Sequence, residues 1–173
     1  MKKATKKLIK ARKKMDKAVS AQLVPFGIRK ARYTGEYSYH FDKNIIDYKV
    51  SNNDIEDEWF RDFLKDRFNY TVKSDFIISI LHELGHAKAN EEIDGAIYDF
   101  CQREKMRINV EMMCTDDETV GKSLCYQYFN LPDEIMATQW AVDYAETHEE
   151  ELQEMLKKIT PAIKKYQKKL RAI

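Results

Sequence analysis

Hydrophobic positions recur along this chain with two periods, and together they predict helices around one short extended stretch. Ala4, Leu8, Ala11, Met15, Ala18 and Gln22 are spaced by alternating four- and three-residue steps, which puts a narrow, mostly apolar stripe on one helix face. Pro25 and Gly27 interrupt it, so the pattern predicts a helical arm of about 20 residues. Small residues bury little area, and such an arm must pack on the body or on another chain. Tyr33, Tyr37, Tyr39, Phe41, Ile45, Ile46, Tyr48 and Val50 favour strands, with Gly35 available for a turn. From Asp42 the apolar residues are mixed with Lys43, Asn44, Asp47 and Lys49, a mixture that suits an edge or half-exposed strand better than a central one. Ser51, Asn52 and Asn53 close the stretch and offer helix caps.

Helical spacing then takes over. Ile55, Trp59, Phe60, Phe63, Leu64 and Phe68 mark an amphipathic helix, with Asp54, Glu56, Asp57 and Glu58 at its electropositive start. Ser74 caps a second helix that opens Asp75-Phe76-Ile77-Ile78-Ser79-Ile80-Leu81, apolar nearly all round and therefore buried. A third follows Asn90, through Ile93, Ile97, Phe100 and Cys101 to the region of Met106. Residues 107–114, where Ile108, Val110 and Met112 alternate, read as a short strand or an irregular link. Thr115 and Glu118 form a capping box for a helix ending near Phe129. Pro132 stands in the first turn of the next helix, whose buried face is Ala137, Trp140, Ala141, Tyr144 and Ala145. Two lysine-rich helices around Pro161 finish the chain.

Composition narrows the class. The 173 residues are 43% apolar and 12% aromatic, enough for one domain with a real core rather than a disordered chain. Five glycines and three prolines argue against a turn-rich β-sandwich. No apolar run approaches the ~20 residues that span a bilayer, and the charged start lacks the apolar segment of a secretory signal. A cytoplasmic protein without a membrane partner is expected. Cys101, Cys114 and Cys125 contain no C-x-x-C pair and read as reduced, small core residues.

Charge is segregated. Residues 1–17 carry nine Lys/Arg against the single Asp16, and 157–173 carry seven basic groups and no acid, while 18–156 hold 14 basic and 28 acidic residues. Basic ends of this kind can fold back on an acidic body, or reach a nucleic acid or an acidic protein partner.

The candidate chemistry lies in the buried helix, at His82-Glu83-Leu84-Gly85-His86. Histidines four apart share a helix face one turn apart, and their imidazoles can converge on one tetrahedral ion. Glu83, about 100° further round, is placed to reach a water on that ion, as the general base of H-E-x-x-H metallohydrolases does. Two imidazoles and a carboxylate buried without a partner would be costly, and a metal removes that cost. Gly85 loses about 1 kcal/mol against alanine in a helix interior, so something must approach the backbone there. A third ligand is needed. His40 and His148 are candidates. Glu134 is the stronger one, in the first turn of a helix whose Ala137 and Ala141 permit close packing, and Asp133 points elsewhere.

His82–His86 followed by Glu134-x-x-Ala137-Thr138-x-x-Ala141 resembles the gluzincin arrangement of H-E-x-x-H with a later E-x-x-A-[D/N]-x-x-A. The nearest likeness is to ImmA/IrrE-type metallopeptidases, over roughly residues 33–146. The resemblance implies a mostly helical, zincin-like α+β domain with a small sheet and an edge strand near residues 39–50 that receives an extended substrate. It implies one Zn2+ per chain held by His82, His86 and Glu134, with Glu83 as catalytic base. Thr138 stands where the family has Asp or Asn orienting a ligand histidine. The 47 residues between His86 and Glu134 exceed the compact members' spacing and mark 90–130 as an insertion.

The expected organisation is a basic helical arm (1–24), a metallopeptidase domain (25–156) and a basic C-terminal helix (157–173). The expected activity is hydrolysis of a peptide bond in a restricted protein or peptide substrate. Tyr126, Tyr128, Tyr144 and His148 are candidate donors to the oxyanion. The alternative is a zinc-containing structural or binding module of a phage or mobile-element assembly, with little turnover, located in the host cytoplasm or the virion.

Overall fold

A computed structural model describes residues 2–50 and 55–172, the side chains of 2–4, 55, 56 and 89–91 excepted. The expected caps at Ser51, Asn52 and Asn53 and the helix start at Asp54 lie outside the described residues. The chain is a mostly helical α+β protein that divides into two compact units, Met1–Val50 with Thr147–Ile173, and Ser51–Glu146.

The first unit contains α1 (Lys2–Leu23), β1 (Lys30–Tyr33), β2 (Ser38–His40), β3 (Ile45–Tyr48) and α7 (Glu149–Leu170). The stripe expected on α1 is real and continues past Ala18: Ala11, Met15, Val19 and Leu23 are buried, and α1 packs on β1 and α7. The sheet order is β1-β3-β2, with β1 parallel and β2 antiparallel to β3. The segment from Asp42, expected to be an edge or half-exposed strand, therefore supplies the central strand, and β1 and β2 form the two edges. The polar residue that suggested an edge is neutralised in place. Arg32 donates to both oxygens of Asp47 at 2.6 and 2.8 Å, and His40 Nε2 lies 3.0 Å from Oδ2. Side chains of α1 close the outer edge of β1, where Ser20 Oγ and Asp16 Oδ1 each accept 2.8 Å hydrogen bonds from the backbone N–H groups of Ala31 and Tyr33.

The terminal helices, set apart in the sequence by charge, thus belong with the sheet. Two helices were expected around Pro161, but α7 runs through it as one helix. Leu152, Ile159 and Tyr166, seven residues apart, are buried along its length, and this packing outweighs the local cost of proline.

The second unit contains α2 (Ile55–Phe68), α3 (Asp75–Glu92), α4 (Gly95–Met113), α5 (Glu118–Phe129) and α6 (Pro132–Thr147). Ser74 caps α3 as expected, its Oγ accepting from Ile77 N, and Phe76–Leu81 are buried. The third helix begins later than expected, because Asp94 is its cap and accepts from Ala96 N and Ile97 N. It also continues through 107–113, which is neither strand nor irregular link. Cys101, Ile108 and Met112 keep the helical spacing and pack with Leu124, Leu131 and Tyr128, and Arg107 pairs with Glu104 and Glu111 at three- and four-residue spacing. The cap of α5 is Asp117, which accepts from Thr119 N and Val120 N, whereas Thr115 Oγ1 accepts only from Asp117 N. Cys101 and Cys125 are buried free thiols, but Cys114 is exposed and is not a core residue. Among the described residues no helix is long and apolar enough to cross a membrane.

Candidate metal centre

The centre lies wholly within the second unit and is set by the approach of α3 to α6. A Cβ on Gly85 would stand 2.3 Å from the carbonyl oxygen of Ala137 and 2.9 Å from its Cα. The two backbones are thus in contact, and only glycine permits it. The approach expected at Gly85 is that of α6. Buried Ala137 and Ala141 face the same packing, and the first turn of α6 brings Glu134 to the level of the histidines.

His82 Nε2 lies 3.0 Å from Glu134 Oε2, and His86 Nε2 lies 3.4 Å from Glu134 Oε1. The imidazoles meet edge to face with centroids 4.7 Å apart, and Phe60 packs on His82 at 5.4 Å. One ligand atom from each of His82, His86 and Glu134 lies within 4.8 Å of the others, so the three can hold a metal ion. Thr138 Oγ1 is 3.1 Å from His82 Nδ1, the orienting contact that the resemblance places at this position, made by a hydroxyl rather than a carboxylate.

The donor set fits a borderline cation such as zinc: two neutral-capable nitrogens and one carboxylate. A second observation agrees. Glu134 is 1% exposed, and its Oε1 makes no well-directed hydrogen bond although His86 Nε2 and the Lys105 ammonium both face it, so this buried carboxylate is held by cationic and polar neighbours and keeps lone pairs for a metal ion. Burial alone would raise this carboxyl, but the charge of His86 and the hydrogen bonds with both imidazoles outweigh it and hold Glu134 well below the usual carboxylate range.

A neighbour missed in the sequence is Lys105 on α4. Its Nζ lies 2.5 Å from Glu134 Oε1 and 2.5 Å from Asp133 Oδ2. Burial works against the ammonium, yet Glu134, Tyr128 and Asp133 outweigh it and leave Lys105 more basic than a free lysine. The Tyr128 ring lies 5.4 Å from the same ammonium, and burial, then Glu134 and Glu83, push its phenol up. The spacing Cys101-Lys105-Ile108-Met112 was the available signal, hidden by reading 107–114 as a break in the helix.

Other candidates fall elsewhere. His40 pairs with Asp47 in the first unit, and His148 stands at the start of α7, 2.7 Å from Thr147 Oγ1. Asp133 turns to Lys105 and caps Glu134 N at 3.0 Å. Tyr126 donates to Asp66 and Tyr144 stacks on Trp140, which leaves Tyr128 as the tyrosine facing the acids of the centre. Glu83 is half-buried beside His82 on α3, within electrostatic reach of Tyr128. Compared with known proteins, the chain matches no family model, no curated protein and no solved structure, so its own side-chain geometry carries the functional reading.

Proposed function

We propose that this chain is a zinc-dependent metallopeptidase that cleaves a restricted protein substrate, with His82, His86 and Glu134 holding one zinc ion and Glu83 as general base. One observation carries the reading: two imidazole nitrogens and a buried carboxylate oxygen meet within 4.8 Å, with a second carboxylate, Glu83, adjoining the first of them. Two imidazoles with one carboxylate form the ligand set of open catalytic zinc sites, in which the fourth position is left to water or substrate. When bound, zinc supplies Lewis acidity toward the peptide carbonyl and the attacking water.

The remaining steps belong to the chain. Glu83 takes a proton from the attacking water and passes it to the leaving amine. Thr138 holds the His82 ring with Nε2 toward Glu134. Tyr128 keeps its proton at neutral pH and is the donor assigned to the developing oxyanion. Kinship with the ImmA/IrrE-type gluzincins is part of this proposal. The segment outside that likeness, 90–130, forms α4 and α5 and supplies Lys105 and Tyr128. A cytoplasmic setting, and contact of the basic ends with an acidic protein or a nucleic acid, complete it.

The test is a comparison of cellular proteomes with the wild-type chain and Glu83→Gln. The variant is expected to keep its zinc and fold while one partner accumulates uncleaved. Retained zinc with no cleaved partner in either strain would favour the structural or binding module of a phage or mobile-element assembly.

A further inference from the structure

Lysine is not a zinc ligand, yet the ammonium of Lys105 touches the carboxylate that completes the cluster. Its side chain is 14% exposed, and those of Asp133 and Glu134 are 3% and 2% exposed. Two carboxylates taken this far from water are strongly unfavourable unless a cation faces them. The lysine reaches them asymmetrically. It sits on Glu134 Oε1 and on Asp133 Oδ2, each at 2.5 Å, while Glu134 Oε2 faces His82 Nε2 at 3.0 Å. Asp133 is held by the same ammonium and caps the Glu134 N–H through its other oxygen, so the lysine fixes both acids of the first turn of α6.

We propose that Lys105 is a positioning residue, an internal counter-cation that keeps the His82–His86–Glu134 cluster assembled before a metal arrives and then shares the Glu134 carboxylate with it. The inference rests on the metal-binding reading of the same site. In the metal-free protein the lysine is the fixed positive charge facing two buried acids. In the loaded protein a divalent ion faces Glu134 too, while Asp133 stays on the lysine. Loss of the lysine must therefore harm the metal-free form more than the loaded one, an asymmetry that a purely packing role does not produce.

Thermal unfolding of the full chain tests this, using wild type, Lys105→Met and Ile108→Ala, each with a chelator and with saturating zinc. Ile108, one turn along α4 and 1% exposed, removes core volume without charge. Lys105→Met is expected to lower Tm by about 10 °C in chelator, the scale set by uncovering a buried charge pair in a protein of this size. Zinc is expected to restore more than half of that loss, whereas Ile108→Ala loses the same amount under both conditions. Equal losses for Lys105→Met with and without zinc, recovery of less than half, or a variant unfolded in both would overturn the role of Lys105. A wild-type Tm that zinc does not move would instead overturn the metal reading beneath it.

Discussion

Glu134 is a carboxylate with 1% of its surface exposed, and such a group stays ionised only among positive partners. The Lys105 ammonium provides one, and the ring nitrogens of His82 and His86 face the same carboxylate. The histidines were legible because four-residue spacing fixes a shared helix face whatever the fold. Lys105 was not, because a lysine at a helix surface and a lysine under a carboxylate look alike until the opposing helix is in place. Asp47 makes the same point in the sheet. Read as a sign of exposure, it is instead the acceptor of Arg32 and a neighbour of His40. Burial pulls its carboxyl upward, but the Arg32 and His40 hydrogen bonds prevail and hold it below the ordinary aspartate value. Because its folded value is depressed, Asp47 contributes stability that is complete above the unfolded value of about 4 and fades as pH falls through the folded one. Asp47→Asn is expected to cost about 1–3 kcal/mol at pH 7 in denaturant titrations and to flatten the acid limb below pH 4. An unchanged acid limb would show that the Arg32 pair contributes nothing to folding.

At the scale of elements, the contact between α3 and α6 decides whether the centre exists. Gly85→Ala should gain up to ~1 kcal/mol from helix propensity alone. The 2.3 Å approach of a Cβ to the Ala137 carbonyl predicts the opposite sign, a loss of about 2 kcal/mol or more, and weaker zinc retention as Glu134 is pushed from the histidines. A stabilised Gly85→Ala that keeps its metal would contradict the packing. Most helices were legible from their apolar spacing. Failures came where local signals compete with tertiary packing. Alternation at 108–112 mimicked a strand, although Cys101, Ile108 and Met112 keep one helical face. Pro161 suggested a break, although buried residues on both sides hold α7 together. Thr115 and Glu118 matched a capping box, but Asp117 stands closer to the open N–H groups and takes them.

For the molecule as a whole, charge follows the division into units. Residues 1–50 and 147–173 carry 21 Lys/Arg and 8 Asp/Glu, a net +13, while 51–146 carry 9 and 21, a net −12. The sequence showed the basic ends but not that they share a unit, because their pairing is a tertiary contact between α1 and α7. The apolar faces of both helices are used in that packing, and Lys6, Lys7, Lys10, Lys13, Lys14 and Lys17 remain exposed, as do Lys157, Lys158, Lys164, Lys165 and Lys168. If these lysines meet a nucleic acid, affinity for a labelled 20-mer duplex should fall at least ~100-fold between 50 and 200 mM salt, the counterion-release behaviour of several phosphate contacts. Replacing the six α1 lysines by glutamine should flatten that slope. Binding that ignores salt, or survives the replacement unchanged, would assign the basic surface to another partner.

The most direct test of the central claim is the zinc content of purified protein after dialysis. Wild type and His148→Ala should each retain close to one zinc per chain, and Glu134→Ala about a tenth of that or less, because a two-histidine remnant is too weak to hold the ion. A wild-type protein without metal, or Glu134→Ala with its zinc intact, would contradict the assignment of the centre.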